Sequence, residues 1–143
     1  MKKLLLFFVF LLPVLIVSAQ QPAASQVPAS DKNAPIITFK TTMIDYGTIA
    51  YQSDGDRVFT FKNTGKSPLV ITNVNSSCGC LVPGWSKEPI PPGKSGAIRA
   101  HYDTNRIGNF NKTLTVFSNA SNNIVVLQIK GTVIPDSRDS SGR

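Results

Sequence analysis

The stretch Arg57-Val58-Phe59-Thr60-Phe61-Lys62-Asn63 places two phenylalanines two positions apart, with valine, threonine and charged residues between and around them. Successive side chains of a β-strand point to opposite faces, so this alternation predicts a strand with Phe59 and Phe61 on its buried face. The residues Asn63-Thr64-Gly65-Lys66-Ser67-Pro68 follow directly and are typical of a turn. The stretch therefore predicts a half-buried β-sheet.

Short alternating segments of the same kind extend from Ile36 to Ile134, and no segment as long as three helical turns has helical spacing. The other predicted strands are Ile36–Lys40 and Ile44–Ile49, broken at Thr41-Thr42, then Leu69–Asn75, Ala97–Asp103, Lys112–Ser118 and Ile124–Val133. The inward positions are predicted to be Ile98, Ala100, Tyr102, Leu114, Val116, Val125, Leu127, Ile129 and Val133, with Gly131 on the same face. About seven strands in roughly 100 residues predict an all-β, two-sheet sandwich. A closed barrel, which would need more even spacing, is the second choice.

The segment Ser76–Gly96 interrupts this pattern with four prolines and four glycines. Such a composition argues against a regular central strand. Pro92-Gly93 predicts a type II turn, because proline fixes φ at the second position and glycine accepts a positive φ at the third. We expect Leu81 and Trp85 to pack this crossover onto an edge of the sandwich, and Leu81, Pro83 and Trp85 to form a candidate surface for a partner.

Both ends of the chain differ in composition from this folded unit, Ile36–Ile134. Two lysines, an apolar run and Val17-Ser18-Ala19 predict a signal peptide over residues 1–19, cleaved after Ala19. The run is shorter than the roughly 20 residues that span a bilayer, so we expect no membrane span after cleavage, and a periplasmic or secreted protein. Residues 20–35, rich in Pro, Ala, Ser and Gln, predict a disordered linker, and residues 135–143 a disordered tail.

The composition of the 143 residues limits the chemistry that the chain can perform. There are one His and two Cys, without an acidic cluster, so we expect no enzyme and no cofactor. The formal charge is +7, but Lys2 and Lys3 belong to the predicted signal peptide and the other basic residues are scattered. We therefore expect a solvated basic surface and no nucleic-acid partner.

Cys78-Gly79-Cys80 is the one motif with chemical content, and three interpretations remain open for it. The two cysteines could be small residues that cap the end of a strand, with Gly79 allowing a tight bend. They could form a disulfide or redox pair, since export implies an oxidising compartment. Two thiolates are half of a structural zinc site, but they would be enough for two-coordinate Cu(I).

Two other groups of polar residues resemble sites but have simpler explanations. His101 and Asp103 lie on the outer face of one predicted strand, about 7 Å apart by the rise of an extended chain. That distance exceeds hydrogen-bond reach, so a solvated strand face is the better interpretation. Asp54-Gly55-Asp56 supplies too few oxygens for calcium and is predicted to be a turn.

A family resemblance covers nearly the whole folded unit. It is carried by Ile44-Asp45-Tyr46-Gly47, Phe59-x-Phe61-x-Asn63-Thr64-Gly65, Leu69-x-Ile71, Ser77-Cys78-Gly79-Cys80-x-x-Pro83, Pro89-Ile90-x-Pro92-Gly93 and Ser118-Asn119. The chain resembles a family of exported bacterial domains of unknown function that carry a Cys-Gly-Cys motif after the third strand. That family is similar to the immunoglobulin-like domains of the major-sperm-protein, PapD-like and Hydin types. The resemblance implies an immunoglobulin-like sandwich. Relatives in the wider superfamily are mostly scaffolds or binding modules, and this analogy of fold gives little support for a binding role here.

Together these features predict an exported, non-enzymatic immunoglobulin-like domain that serves as a protein-binding or structural module of the bacterial cell envelope. We expect its partner to be another envelope or extracellular protein, contacted through a sheet edge or the Ser76–Gly96 crossover. The alternative is a thiol-redox or Cu(I)-handling protein that uses Cys78 and Cys80.

Overall fold

The structure is a computed structural model that describes residues 32–136. The predicted signal peptide, residues 20–31 of the predicted linker and residues 137–143 of the tail lie outside this range. Eight β-strands make up the regular structure of the described residues. None of these residues forms a helix that is long and apolar enough to cross a membrane.

The strands form two four-stranded sheets that pack as a sandwich. Their bounds are β1 (Ile37–Phe39), β2 (Met43–Ala50), β3 (Asp56–Asn63), β4 (Ile71–Ser76), β5 (Leu81–Trp85), β6 (Ser95–Tyr102), β7 (Gly108–Ser118) and β8 (Ile124–Ile134). The first sheet has the order β1-β3-β6-β5 and the second the order β2-β8-β7-β4. The predicted all-β, immunoglobulin-like sandwich is confirmed.

The chain changes sheets between β1 and β2, at the predicted break. β1 pairs antiparallel with β3, whereas β2 pairs parallel with β8. A register shift between Asp45 and Thr48 marks a bulge in β2, and Gly47 lies there with a φ of +64°. Glycine adopts this left-handed conformation without the steric penalty of a Cβ.

The core lies between the sheets and follows the predicted alternation. Phe59 is 0% and Phe61 is 2% exposed, and their outward neighbours are exposed. The other predicted inward residues that are buried are Ile98, Ala100, Tyr102, Leu114, Val116, Leu127, Ile129 and Val133. Val125 and Gly131 are half-buried. The period-two pattern therefore identified the inner faces correctly.

Two features of the strands differ from the prediction. β5 lies inside the Ser76–Gly96 segment, which makes eight strands instead of about seven. It lies at the edge of its sheet and pairs only with β6, so Pro83 can be accommodated there without breaking a central ladder. β7 also begins at Gly108, four residues before the predicted start.

The last residues of the predicted linker make backbone hydrogen bonds to the sandwich. The Ser67 hydroxyl donates to the carbonyl oxygen of Asn33 at 2.6 Å, and the Ser121 N–H donates to that of Pro35 at 2.9 Å. The backbone of residues 33–35 is thus fixed by hydrogen bonds from two loops of the sandwich. A composition typical of linkers does not reveal such backbone contacts.

Candidate functional site

The three residues predicted as a partner surface have different environments. Leu81 is 1% exposed, because it lies opposite Tyr102 on the inner face of the first sheet. It belongs to the core and cannot contact a partner. Pro83 and Trp85 are half-buried. The indole of Trp85 packs against the core, and its buried Nε1 has no hydrogen-bond acceptor among residues 32–136.

Cys78 and Cys80 form a disulfide in the connection between β4 and β5. Cys80 is 6% exposed, whereas Cys78 is half-buried and Gly79 is exposed. The Ser76 hydroxyl donates to the Cys78 carbonyl oxygen at 2.6 Å, and the Asp103 N–H donates to that of Cys80 at 2.9 Å. The disulfide therefore lies where the chain leaves the second sheet for the first, with one sulfur-bearing residue near solvent.

His101 and Asp103 do not act together. Nδ1 of His101 lies 3.0 Å from Oδ1 of Asp56, its partner across the β3–β6 ladder. The Asp103 carboxylate instead accepts from both the side chain and the backbone of Asn105, and it forms an ion pair with Arg106. These contacts, the Asn105 side chain first, lower the pKa of Asp103. Among the described residues there is no group of three or more His, Cys, Asp or Glu side chains placed to hold a metal ion.

The Asp54-Gly55-Asp56 segment holds the end of the sandwich together. The Gly55 carbonyl oxygen accepts from the Tyr46 hydroxyl at 2.9 Å and from the Tyr102 N–H at 3.0 Å. A Cβ on Gly55 would collide with the carbonyl oxygen of Tyr102. This segment is structural, but the turn lies earlier than predicted, at Tyr51-Gln52, and Asp56 is the first residue of β3. Burial of the Tyr46 ring raises its pKa to about 12.

The outer face of the first sheet carries a surface that the sequence motifs did not single out. We call it the cationic face and define it by seven outward residues on or beside β1, β3, β5 and β6. It contains Lys40, Val58, Thr60, Lys62, Gly84, Ala97 and Arg99. Asp56 and His101, which pair with each other on the same side of the sheet, lie outside it. A depression of about 480 Å³ is lined by Val58, Gly84, Trp85, Ala97 and Arg99. A second depression, of about 320 Å³, lies beside it around Thr60, Lys40 and Lys62.

The charged groups of the cationic face are unpaired. The side chains of Lys40, Lys62 and Arg99 are exposed, and they form no ion pair or hydrogen bond within the described part of the chain. Val58 is 52% exposed beside them. The alternation in each strand places these residues outward, but only the pairing of β3 with β6 and β5 shows that they share one surface.

The outer face of the second sheet carries exposed apolar side chains, such as Val126 at 53% exposed, together with polar groups that pair with one another. The Thr132 hydroxyl donates to Oδ1 of Asn109 at 2.7 Å, and Lys130 lies 3.3 Å from Asp45. The Gly47 N–H also donates to the Asp45 carboxylate, and this bond together with Lys130 lowers the pKa of Asp45. The polar groups of this face therefore bind one another.

The sheet edges are partly closed to a further strand. At β4 the Val74 N–H is occupied by Oδ1 of Asn73 at 2.9 Å, and at β5 Pro83 has no N–H to donate. β1 has only three residues. A proline in an edge strand and a very short edge strand are usual means by which proteins block the addition of a further strand, and an N–H that already has an acceptor is not free to pair with one. These three edges are therefore poorer candidates for a partner than the faces of the sheets.

Comparison with solved structures supports the fold. The chain is similar to a protein of unknown function from Porphyromonas gingivalis W83, with a TM-score of 0.65 and 17% identity over 75% of this chain and 51% of that one. It is similar to the ASH/PapD-like domain 7 of human CEP192, with a TM-score of 0.63 and 9% identity over 87% of this chain and 100% of the domain. A third match, to the secreted serine protease VesC from Vibrio cholerae, has a TM-score of 0.52 and 13% identity over 68% of this chain and 23% of the protease.

The chain thus spans about half the length of the Porphyromonas protein. At these identities the matches show a shared β-sandwich fold and nothing finer. No match to a curated protein was found.

A family model described as "Protein of unknown function (DUF1573)" matches residues 37–133, which is more than half of the sequence. The matched range includes every described strand apart from the last residue of β8. The chain therefore belongs to the DUF1573 family.

Proposed function

We propose that this protein is an exported, non-enzymatic module that binds another protein of the bacterial envelope. The observation that carries the proposal is the cationic face, where the half-exposed Val58 lies in the same cross-strand row as the unpaired Arg99. The row borders an apolar depression of about 480 Å³, and a concave, largely apolar surface with a charged group beside it is typical of a binding site. Export is supported by the lysines and the apolar run of residues 1–19.

Crosslinking in the native host tests this function. The mature protein is crosslinked in intact cells, purified under denaturing conditions and analysed by mass spectrometry. We expect one or a few envelope proteins, with crosslinked peptides that map to the described sandwich. Recovery of the protein without any crosslinked partner would contradict a binding role.

A thiol-exchange role is the second candidate, favoured by the disulfide with its half-buried Cys78. A thiolate of a dithiol substrate would attack one sulfur of the pair, release the other as a thiolate and form a mixed disulfide. The second substrate thiol would then displace the first cysteine. The substrate would leave as a disulfide, and Cys78 and Cys80 would be left as two thiols.

A further inference from the structure

We propose that the cationic face binds an extended, carboxylate-bearing peptide segment of the partner protein. An apolar side chain of that segment lies in the depression between Val58 and Gly84, and a neighbouring carboxylate pairs with Arg99. This inference rests on the proposed function, and it adds the surface used and the chemistry of the partner.

The depression exists because side chains are small or absent along two rows of the sheet. Val58, Arg99 and Gly84 are paired across β3, β6 and β5, and they form one row. In the next row Ala97 pairs with Thr60. Gly84 carries no side chain, and a Cβ built on it would meet only the Cβ of Arg99, at 3.7 Å. The depression is therefore an open space of about 480 Å³ with an apolar floor, directly beside a guanidinium group.

The charges select an anionic occupant. Three exposed cations, Lys40, Lys62 and Arg99, have no ionic partner within residues 32–136. The carboxylate of Asp56, on the outer side of the same sheet, is already held by His101 at 3.0 Å. A guanidinium binds a carboxylate through two parallel hydrogen bonds, which gives direction as well as attraction.

The same charges argue against a second copy of this chain as the occupant. Two cationic faces brought together would place Arg99 and Lys62 against like charges, and such a contact is unfavourable. The apolar floor argues against a polysaccharide, because sugar hydroxyls would lose water over Val58, Ala97 and Gly84 without gaining hydrogen bonds to their side chains. A peptide supplies both an aliphatic side chain and a carboxylate.

A phage-displayed library of random dodecapeptides, selected on the purified mature protein, tests the inference. We expect the selected peptides to carry Asp or Glu next to an aliphatic residue. Binding is then measured by fluorescence anisotropy with the labelled peptides. Glu→Gln or Asp→Asn changes in the peptide should weaken binding by about tenfold or more, as expected for loss of a charge-assisted pair.

Two protein variants and one control locate the site. Gly84→Val fills the depression without a backbone clash, and Arg99→Gln removes the guanidinium from an exposed, unpaired position. Each should weaken binding by about tenfold or more. Lys130→Gln removes the same formal charge from the outer face of the second sheet and should change binding by less than about twofold. Circular dichroism melts verify that each variant is folded.

The possible outcomes separate the inference from the proposed function. If no acidic peptide is selected, or if polygalacturonate binds as tightly as the selected peptides, the inference is overturned. It is also overturned if Gly84→Val and Arg99→Gln bind the peptides like the native protein. In-cell crosslinking with these variants tests the proposed function separately. If the variants crosslink to the same partner as the native protein, binding occurs at another surface. If the native protein crosslinks to no partner, the proposed function is contradicted.

Discussion

The side-chain nitrogen of Asn63 donates to the carbonyl oxygen of Ile90 at 2.9 Å, although 27 residues separate the two in the sequence. The same nitrogen donates to the carbonyl oxygen of Ser67 at 2.8 Å, and Oδ1 accepts from the Gly65 N–H at 3.0 Å. Asn63 is 0% exposed. One buried amide thus fixes the turn after β3 and the loop before β6 relative to each other.

Asn63→Ala should therefore lower the free energy of unfolding by roughly 2–4 kcal/mol, because the Ser67 carbonyl oxygen and the N–H groups of Gly65 and Ile36 lose their partner. The Ile90 carbonyl oxygen keeps the Leu69 N–H as a donor. Urea denaturation measures the change. The matched control is Asn73→Ala, an exposed asparagine whose side chain bonds to its neighbours at a sheet edge, with an expected loss below about 1 kcal/mol. Equal losses for the two variants would contradict the role assigned to Asn63.

Phe61→Ala should lower the free energy of unfolding by about 3–5 kcal/mol, the range for truncation of a fully buried aromatic residue. Phe61 packs against Phe39 with ring centroids 5.2 Å apart. Val58→Ala, three residues earlier on the outward face of the same strand, provides the control and should lose less than about 1 kcal/mol. A loss below about 1 kcal/mol for Phe61→Ala would mean that the register of β3 is wrong.

Tyr46 should make the stability depend on pH in the alkaline range. Burial raises its pKa from 10.0 to about 12, so the unfolded chain loses the phenolic proton first. The stabilisation is complete below pH 10 and declines as the pH rises toward 12. Tyr46→Phe should lose about 1 kcal/mol at pH 8 through its bond to Gly55, and the gap to the native protein should narrow above pH 10. Urea melts at pH 8 to 11.5 test this, and parallel profiles would contradict it.

Replacement of both Cys78 and Cys80 by serine should lower the free energy of unfolding by only about 1–2 kcal/mol, because the disulfide closes a very short loop. Crosslinked partners should be recovered as before. Thiol titration of the native protein without reductant should detect no free thiol, since both cysteines are in the disulfide. If the reduced native protein retained stoichiometric Cu(I) and the serine variant lost it, the thiol or copper function would replace the binding role.

Export predicts a mature N-terminus at Gln20, because Val17-Ser18-Ala19 provides small residues at the cleavage site. Intact-mass measurement on protein from the native host should give the mass of residues 20–143, or that mass less ammonia if Gln20 has cyclised. Retention of Met1 in protein recovered outside the cytoplasm would indicate an uncleaved anchor.

The inner faces of the strands were predictable because burial acts on each strand separately. Phe59 and Phe61 lie inward whatever the neighbouring strand is, so the alternation within one segment is enough. The edge strand β5 was not predictable in the same way, since Pro83 and Gly84 disfavour central strands and its edge position depends on the topology.

The candidate site could not be predicted from the sequence in the same way, because its residues come together only through the pairing register of β3, β6 and β5. His101 has Asp56 as its partner and not Asp103, and this follows only from the pairing of β3 with β6. The row Val58, Arg99 and Gly84 likewise combines three strands. No local pattern in any one of them indicates that an absent side chain on one strand lies beside a guanidinium on another.

The parallel pairing of β2 with β8 affects when the domain can fold during its synthesis. Ile44 lies opposite Ile129, so one of the first strands to be synthesised has its only neighbour within the sheet in the last strand. The hairpin of β7 and β8 is local but is synthesised last, and the second sheet is complete only when both ends of the domain meet. Non-local pairing of this kind slows folding to the range of milliseconds to seconds. The second sheet therefore stays incomplete until β8 has been synthesised.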